Sequence, residues 1–244
     1  MDSKAINIWL LLSRNPAQKA SSAVVILLLA TFGVVTLAAA TSAQTPAPGP
    51  QTPTDAAKKA NARPGDAATP PPQPFDGASP DKMATQCVTL ETEAGPIEIE
   101  MMPEVAPESV RSFLNLGATG ALDTTTFSRV VKGFIIQGGN LSTSEKWGVE
   151  LSKRAARKVP DEPGPIKHLR GIVSMARTVE PNSDSTHFFI LVGDGQHLNS
   201  KFAAFGRVRK GIEVADAING AQTEGDKPLK AVRINRAVVV DCVK

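Results

Sequence analysis

The chain has 244 residues, 41% of them apolar, and a formal net charge of +3, enough for one good-sized domain with accessory segments. From residue 86 onward 20 Lys and Arg face 19 Asp and Glu, so this part is nearly neutral and lacks the basic excess of a nucleic-acid binder. Three histidines and two cysteines show no zinc-type spacing, and we expect neither metal nor cofactor.

Residues 23–40 read AVVILLLATFGVVTLAAA, without a charge, behind Lys4, Arg14 and Lys19 and a single Asp2. Positive flanks stay cytoplasmic, which places everything after residue 43 across the membrane. Small residues at Thr41 and Ala43 resemble a signal-peptidase site and imply a soluble exported protein. The apolar run is also close to the minimum for a span, so a retained single-pass anchor is equally open. We read residues 1–43 as signal peptide or membrane anchor, the only contact with a membrane. The protein is then periplasmic or otherwise extracytoplasmic.

Ten of the 19 prolines fall between Gln44 and Lys82. Residues 44–85 bury too little to fold and read as a disordered Pro/Ala-rich tether. The folded domain is expected over 86–244.

Residues 87–92 and 97–101 alternate apolar with polar and flank Glu93-Ala94-Gly95-Pro96, which predicts an antiparallel hairpin. Pro107, Glu108 and Ser109 open a helix with the apolar stripe Val110, Phe113, Leu114 and Leu116, ended by Gly117 or Gly120. Short strands are expected at 127–131, 134–137, 171–176, 188–192 and 204–208. A second helix is expected at 212–218, and a last strand within 232–243. Lys153, Arg154, Arg157 and Lys158 read as a solvated loop. The pattern predicts a mainly β fold, a closed eight-stranded antiparallel β-barrel capped by two helices.

Asp184 and His187 beside Ser183 and Ser185 lack a nucleophile elbow, and Gly138-Gly139 lacks a phosphate-loop frame. What remains is chemistry that needs no nucleophile. Here the residues carry a resemblance. FSRVVKGFIIQGGN at 127–140, GIVSMAR at 171–177 with Pro181-Asn182-Ser183 and Phe188-Phe189-Ile190, and LNSKF at 198–202 with FGRV at 205–208 together resemble the cyclophilins. The three motifs stand in the family's order.

The resemblance implies a cofactor-independent peptidyl-prolyl cis-trans isomerase, a monomer acting on proline-containing unfolded or exported polypeptides. It implies that Arg129 donates to the twisting amide and that Gln137 holds the guanidinium. Phe134, Ile135, Phe189, Leu198 and Phe202 would line the proline pocket, with Met175, Ala176, Arg177 and His187 along the groove. Phe188 and Phe205 are expected in the core. An arginine inside FSRVV has no other role unless a carboxylate pairs with it.

Departures from the family pattern are Ser128 for a common His, His187 for Gln, Arg177 for an Asn whose backbone matters more than its side chain, and His197 where some members carry Trp. The last implies weak cyclosporin binding. Residues 141–165 lack the family's glycine segment. Cys87 and Cys242 lie on strands that neighbour each other in a cyclophilin barrel, so a disulfide is open. However, Cys242 shares parity with Val238 and Val240 while Cys87 opposes Val88 and Leu90, which favours free thiols. The same barrel could also serve as a non-catalytic chaperone or scaffold that grips proline-containing segments.

Overall fold

Alternation in the first two strands sets the geometry of the whole sheet. In the computed structural model, which describes residues 72–242, β1 (Gln86–Thr92) and β2 (Gly95–Met101) form the expected hairpin, with Leu90 opposite Ile97 and Val88 opposite Ile99. These four side chains are fully buried, while the intervening Thr89, Glu91, Glu98 and Glu100 stay at least partly accessible. Period-2 patterning therefore commits one face of the ribbon to a core.

Helix α2 (Pro107–Ala118) packs on that core through Val110, Phe113 and Leu114. Its N-cap residue, Ala106, has no side chain able to accept from the free amides. Glu162 supplies the acceptor from a distant loop. Its carboxylate takes Glu108 N–H at 3.0 Å, and Ser109 N–H and Ser109 Oγ–H at 2.8 Å each. A carboxylate at this end also complements the helix dipole.

The remaining main strands are β3 (Arg129–Val131), β4 (Ile135–Gly138), β5 (Ile172–Met175), β6 (Phe188–Leu191), β7 (Ala204–Lys210) and, after a small β8 (Thr223–Glu224) and β9 (Lys227–Pro228) ribbon, β10 (Ile234–Asp241). The large sheet runs β10-β1-β2-β7-β5-β6-β4-β3, antiparallel throughout. The expected closed barrel is not confirmed: no ladder joins the edge strands β3 and β10. One isolated bridge, Thr126 to Arg233, spans the gap just outside both strands. On its second edge β3 meets the turn between β8 and β9 instead, where Val130 N donates to Asp226 O at 2.8 Å. The sheet is a curled half-barrel.

Helix α4 (Ile212–Asn219) matches the second expected helix. Two more appear, α1 (Pro80–Ala84) and α3 (Val149–Ala156). The boundary expected at residue 86 falls inside the packed unit, because Phe75 and Met83 are buried in the main core. Those two apolar side chains stand among prolines and polar residues, which hides their role in the sequence. Helix α3 replaces the expected solvated loop around Arg154. The Arg154 guanidinium donates from Nη2 to Ser112 Oγ at 2.8 Å, and burial lowers its pKa to about 10. The apolar stretch 23–40 lies outside the described residues, and among those described no helix is long and apolar enough to cross a membrane.

Phe113, Phe127, Phe188 and Phe205 fill the concave side of the sheet. Phe113 meets Phe188 edge-on at 5.1 Å and Phe205 at 4.9 Å, geometry worth about 0.5–1.5 kcal/mol per pair beyond area burial. Phe188 and Phe205 are thus core, as expected. The opposite face of β4, β5 and β6 carries a second apolar cluster that includes Ile135, Phe189, Leu191 and Leu198.

Cys87 and Cys242 are joined by a disulfide, with Cα atoms 5.1 Å apart. The parity expectation fails because β10 buries Ala237 and Val239 toward the core, opposite Leu90 and Val88. Val240, paired with Cys87, points the other way and is 37% exposed. Cys242 follows two residues later on that same outer side, within reach of Cys87.

Candidate active site

The turn Lys132-Gly133 brings β3 back along β4, and Arg129 lies directly opposite Gln137 in the register. Opposed residues of an antiparallel pair project on the same face, so a spacing of eight in sequence becomes side-by-side contact. Arg129 Nη1 donates to Gln137 Oε1 at 3.2 Å. Gln137 is in turn opposite Phe189, and Phe189 opposite Ser174. The outer face thus carries a row running arginine, amide, aromatic ring, hydroxyl.

Asn219, at the end of α4, fixes this hairpin. Its Nδ2 donates to Val131 O at 2.8 Å and Ile135 O at 3.0 Å, and its Oδ1 accepts from Gly133 N at 2.8 Å. Three hydrogen bonds on a 6% exposed amide make the turn rigid. Gly139, after the strand, has φ +80, and a Cβ there would meet Thr186 O at 2.0 Å. Only glycine allows so close a backbone approach.

Arg129 has a second partner. Its Nε and Nη2 donate to Asp226 Oδ2 at 3.1 and 2.9 Å. Asp226 sits between β8 and β9 and is itself held to β3, since Val130 N donates to its carbonyl at 2.8 Å. The carboxylate that would give this arginine a structural role is therefore present, 97 residues away in sequence. Nothing in the sequence marks Asp226, because a single Asp in a turn gives no local sign of such a partner. The arginine side chain is 12% exposed and that of Asp226 40%.

Beside Arg129 opens a cavity of about 370 Å³. Of the expected site residues, Arg129, Gln137, Phe134, Ile135, Ala176, Arg177, Phe189, Leu198 and Phe202 line it. Phe189 and Phe202 meet edge-to-face at 5.9 Å and form its apolar wall. A short 3-10 turn, Gln196–Leu198, presents Leu198 and His197, and the His197 ring stacks 5.2 Å from Phe134.

Two expected residues are elsewhere. Met175 is 1% exposed, belongs to the main core and lies opposite Phe188. It is one residue out of phase with the site-facing side of its strand, so alternation turns it inward. His187 does not line the cavity. Burial, and then Lys158, lower its pKa, so it is neutral at pH 7. Thr178 and Val179, outside the quoted motifs, and Lys201, inside LNSKF but given no role there, also line the cavity. Arg177, expected to matter through its backbone, covers the Phe202 ring with its side chain at 5.3 Å.

Among the described residues no group of three or more His, Cys, Asp or Glu is placed to hold a metal ion. The site offers a fixed guanidinium against a mostly apolar cavity. Such a pair can bind an apolar ring and donate to a developing lone pair next to it.

Residues 87–239 match the family model described as cyclophilin-type peptidyl-prolyl cis-trans isomerase. The chain is 39% identical to peptidyl-prolyl cis-trans isomerase CYP18-1 of Arabidopsis thaliana over 155 residues, which are 62% of this chain and 94% of that protein. Identity to peptidyl-prolyl cis-trans isomerase A of Dickeya dadantii is 37% over 163 residues, 64% of this chain and 83% of the other. A cyclophilin-type isomerase from Cryptosporidium parvum, solved in the presence of the dipeptide Ala-Pro, superposes with a TM-score of 0.56 at 28% identity, covering 64% of this chain and 99% of that one. With the family model matched over more than half its length, the chain belongs to the cyclophilin-type peptidyl-prolyl cis-trans isomerases, enzymes that bind proline-containing polypeptides and rotate the bond before proline.

Proposed function

We propose that Arg129 drives this isomerisation by donating to the prolyl nitrogen as the amide twists, and that the substrates are exported polypeptides still folding. The planar amide resists rotation by about 18–20 kcal/mol. At the twisted point conjugation is lost and nitrogen regains a lone pair, which a fixed cation stabilises and the planar ground state does not offer. The observation that carries this reading is the double hold on Arg129, by Gln137 at 3.2 Å and Asp226 at 2.9 Å, beside the apolar cavity. A guanidinium oriented beforehand spends little free energy on reorganisation when the amide twists.

A lower-end acceleration of about a million-fold is roughly 8 kcal/mol, and one charge-assisted hydrogen bond gives about 1.5–3 kcal/mol of it. Ring burial against Phe189, Leu198 and Phe202 must supply much of the rest. Export is supported by the uncharged run at 23–40 and by the Cys87–Cys242 bond, since disulfides persist outside the reducing cytoplasm. A protease-free assay on an Ala-Pro peptide tests the mechanism. Wild type should accelerate isomerisation and Arg129→Ala should be about 100-fold slower. Equal, slow rates with peptide still bound would instead make the domain a chaperone. N-terminal sequencing of the mature protein tests export: a start after residue 43, or a full-length chain recovered with membranes facing away from the cytoplasm, supports it.

A further inference from the structure

The residues lining the cavity include three cations, Arg129, Arg177 and Lys201, and no Asp or Glu. The three are not equivalent. Arg129 has its charge met by Asp226 at hydrogen-bond distance. Arg177 spends its donors on neutral acceptors: Nε and Nη2 on Lys201 O at 3.2 and 3.1 Å, and Nη1 on Thr178 O at 3.3 Å. These bonds lay the guanidinium over Phe202 and leave its charge in place. Part of that charge is met by Asp161, whose Oδ2 forms an ion pair with Arg177 Nη1 at 3.8 Å without a hydrogen bond and from outside the cavity lining. A guanidinium has five N–H donors, so two remain for a ligand. Lys201 is exposed and makes no ion pair among the described residues. Arg177 and Lys201 thus form a positive rim on the wall where Ala176, Thr178 and Val179 continue away from the ring-binding cluster.

We infer that this rim selects substrates carrying an acidic side chain within two residues of the proline. The inference rests on the isomerase reading of the same cavity. A peptide whose ring fills the cluster around Phe189 must run its flanking residues past one wall or another, and the wall of Arg177 and Lys201 presents a cation, Lys201, that makes no ion pair among the described residues. A flanking carboxylate there gains the Lys201 ammonium and the guanidinium hydrogens that Lys201 O and Thr178 O leave unused. A lysine meets repulsion, and a glutamine gains only a neutral hydrogen bond.

The test uses two series of three proline peptides, with Glu, Gln or Lys either before Ala-Pro or directly before Pro. For the full chain at low ionic strength, kcat/KM for the Glu peptide should exceed that for the Gln peptide by about fivefold. The ratio should shrink toward one at about 0.5 M salt, where the screening length falls to a few ångströms. The double variant R177Q/K201Q should bring the ratio to about one, and Lys201→Glu should turn the preference toward the Lys peptide. If Arg177→Gln fails to fold, Lys201→Gln, at an exposed position, should still lower the ratio. A wild-type ratio of one or less, or a ratio unmoved in K201Q and R177Q/K201Q, overturns the inference while turnover of the Gln peptide leaves the isomerase reading intact. Should no peptide be turned over, the isomerase reading fails alone, and the ratio of dissociation constants for the same peptides, read by NMR titration, decides the selectivity.

Discussion

Arg129 and Gln137 stand directly opposite each other on β3 and β4, and the guanidinium Nη1 donates to the amide Oε1 at 3.2 Å while Asp226 takes the other side of the fork. Removing either hold frees the arginine to leave its position while the Phe189 and Phe202 wall of the cavity stays in place. Gln137→Ala should lower kcat/KM about 10-fold, and Asp226→Asn should do so by a similar factor, the range expected from one hydrogen bond to a charged group. Both should melt within a few degrees of wild type. Unchanged kinetics in Asp226→Asn would mean that this ion pair is only structural.

Asp184 is 1% exposed, and its two carboxylate oxygens have no hydrogen-bond partner among the described residues. Burial pushes its pKa up to about 7 from 3.8, with the Asp161 carboxylate adding to the rise and Arg177 opposing it. Between those values the folded chain holds a proton that the unfolded chain has released, so stability falls as pH rises from about 4 to about 7. Asp184→Asn should remove that slope and stabilise the protein by about 1–3 kcal/mol at about pH 8. Urea melts at about pH 5 and pH 8 check it; a variant with an unchanged slope would show that another group titrates.

The Cys87–Cys242 bond closes 155 residues of sequence and ties the first strand to the end of the last. Constraining so long a loop in the unfolded chain contributes about 2–5 kcal/mol. The Cys87→Ala/Cys242→Ala protein should lose that much in denaturant melts, and a reducing agent should weaken wild type but not the variant. Equal effects on both would place the reductant's action elsewhere.

Gly139 follows the end of β4. With φ +80 and Thr186 O only 2.0 Å from where a Cβ would stand, Gly139→Ala forces the backbone apart. It should cost more than about 2 kcal/mol. Thermal melts measure this directly, and a loss under about 0.5 kcal/mol, the range of a neutral surface change, would contradict it.

The elements read most easily from sequence are those with an intact local pattern. The hairpin of β1 and β2, helix α2 and the pairing of Arg129 with Gln137 all follow from periodicity or from the motif FSRVVKGFIIQGG. Alternation misleads only where its phase is assumed. Met175 and Cys242 each lie one residue out of step with the side assigned to them, and a single step reverses the face. Partners distant in sequence stay hidden for a different reason. Glu162 on the start of α2 and Asp226 on Arg129 are single acids in loops, and nothing local marks where the chain will carry them. The open edge between β3 and β10 is equally illegible, since strand count does not determine closure.

On this account Arg129 stabilises the twisted amide rather than the bound peptide. Measuring kcat for an Ala-Pro peptide and its dissociation constant together, in wild type and Arg129→Ala, tests it most directly. Arg129→Ala should lower kcat about 100-fold while peptide affinity changes by less than about threefold, the signature of an interaction made only in the transition state. A loss of affinity as large as the loss of rate, or full turnover without the arginine, would contradict the account.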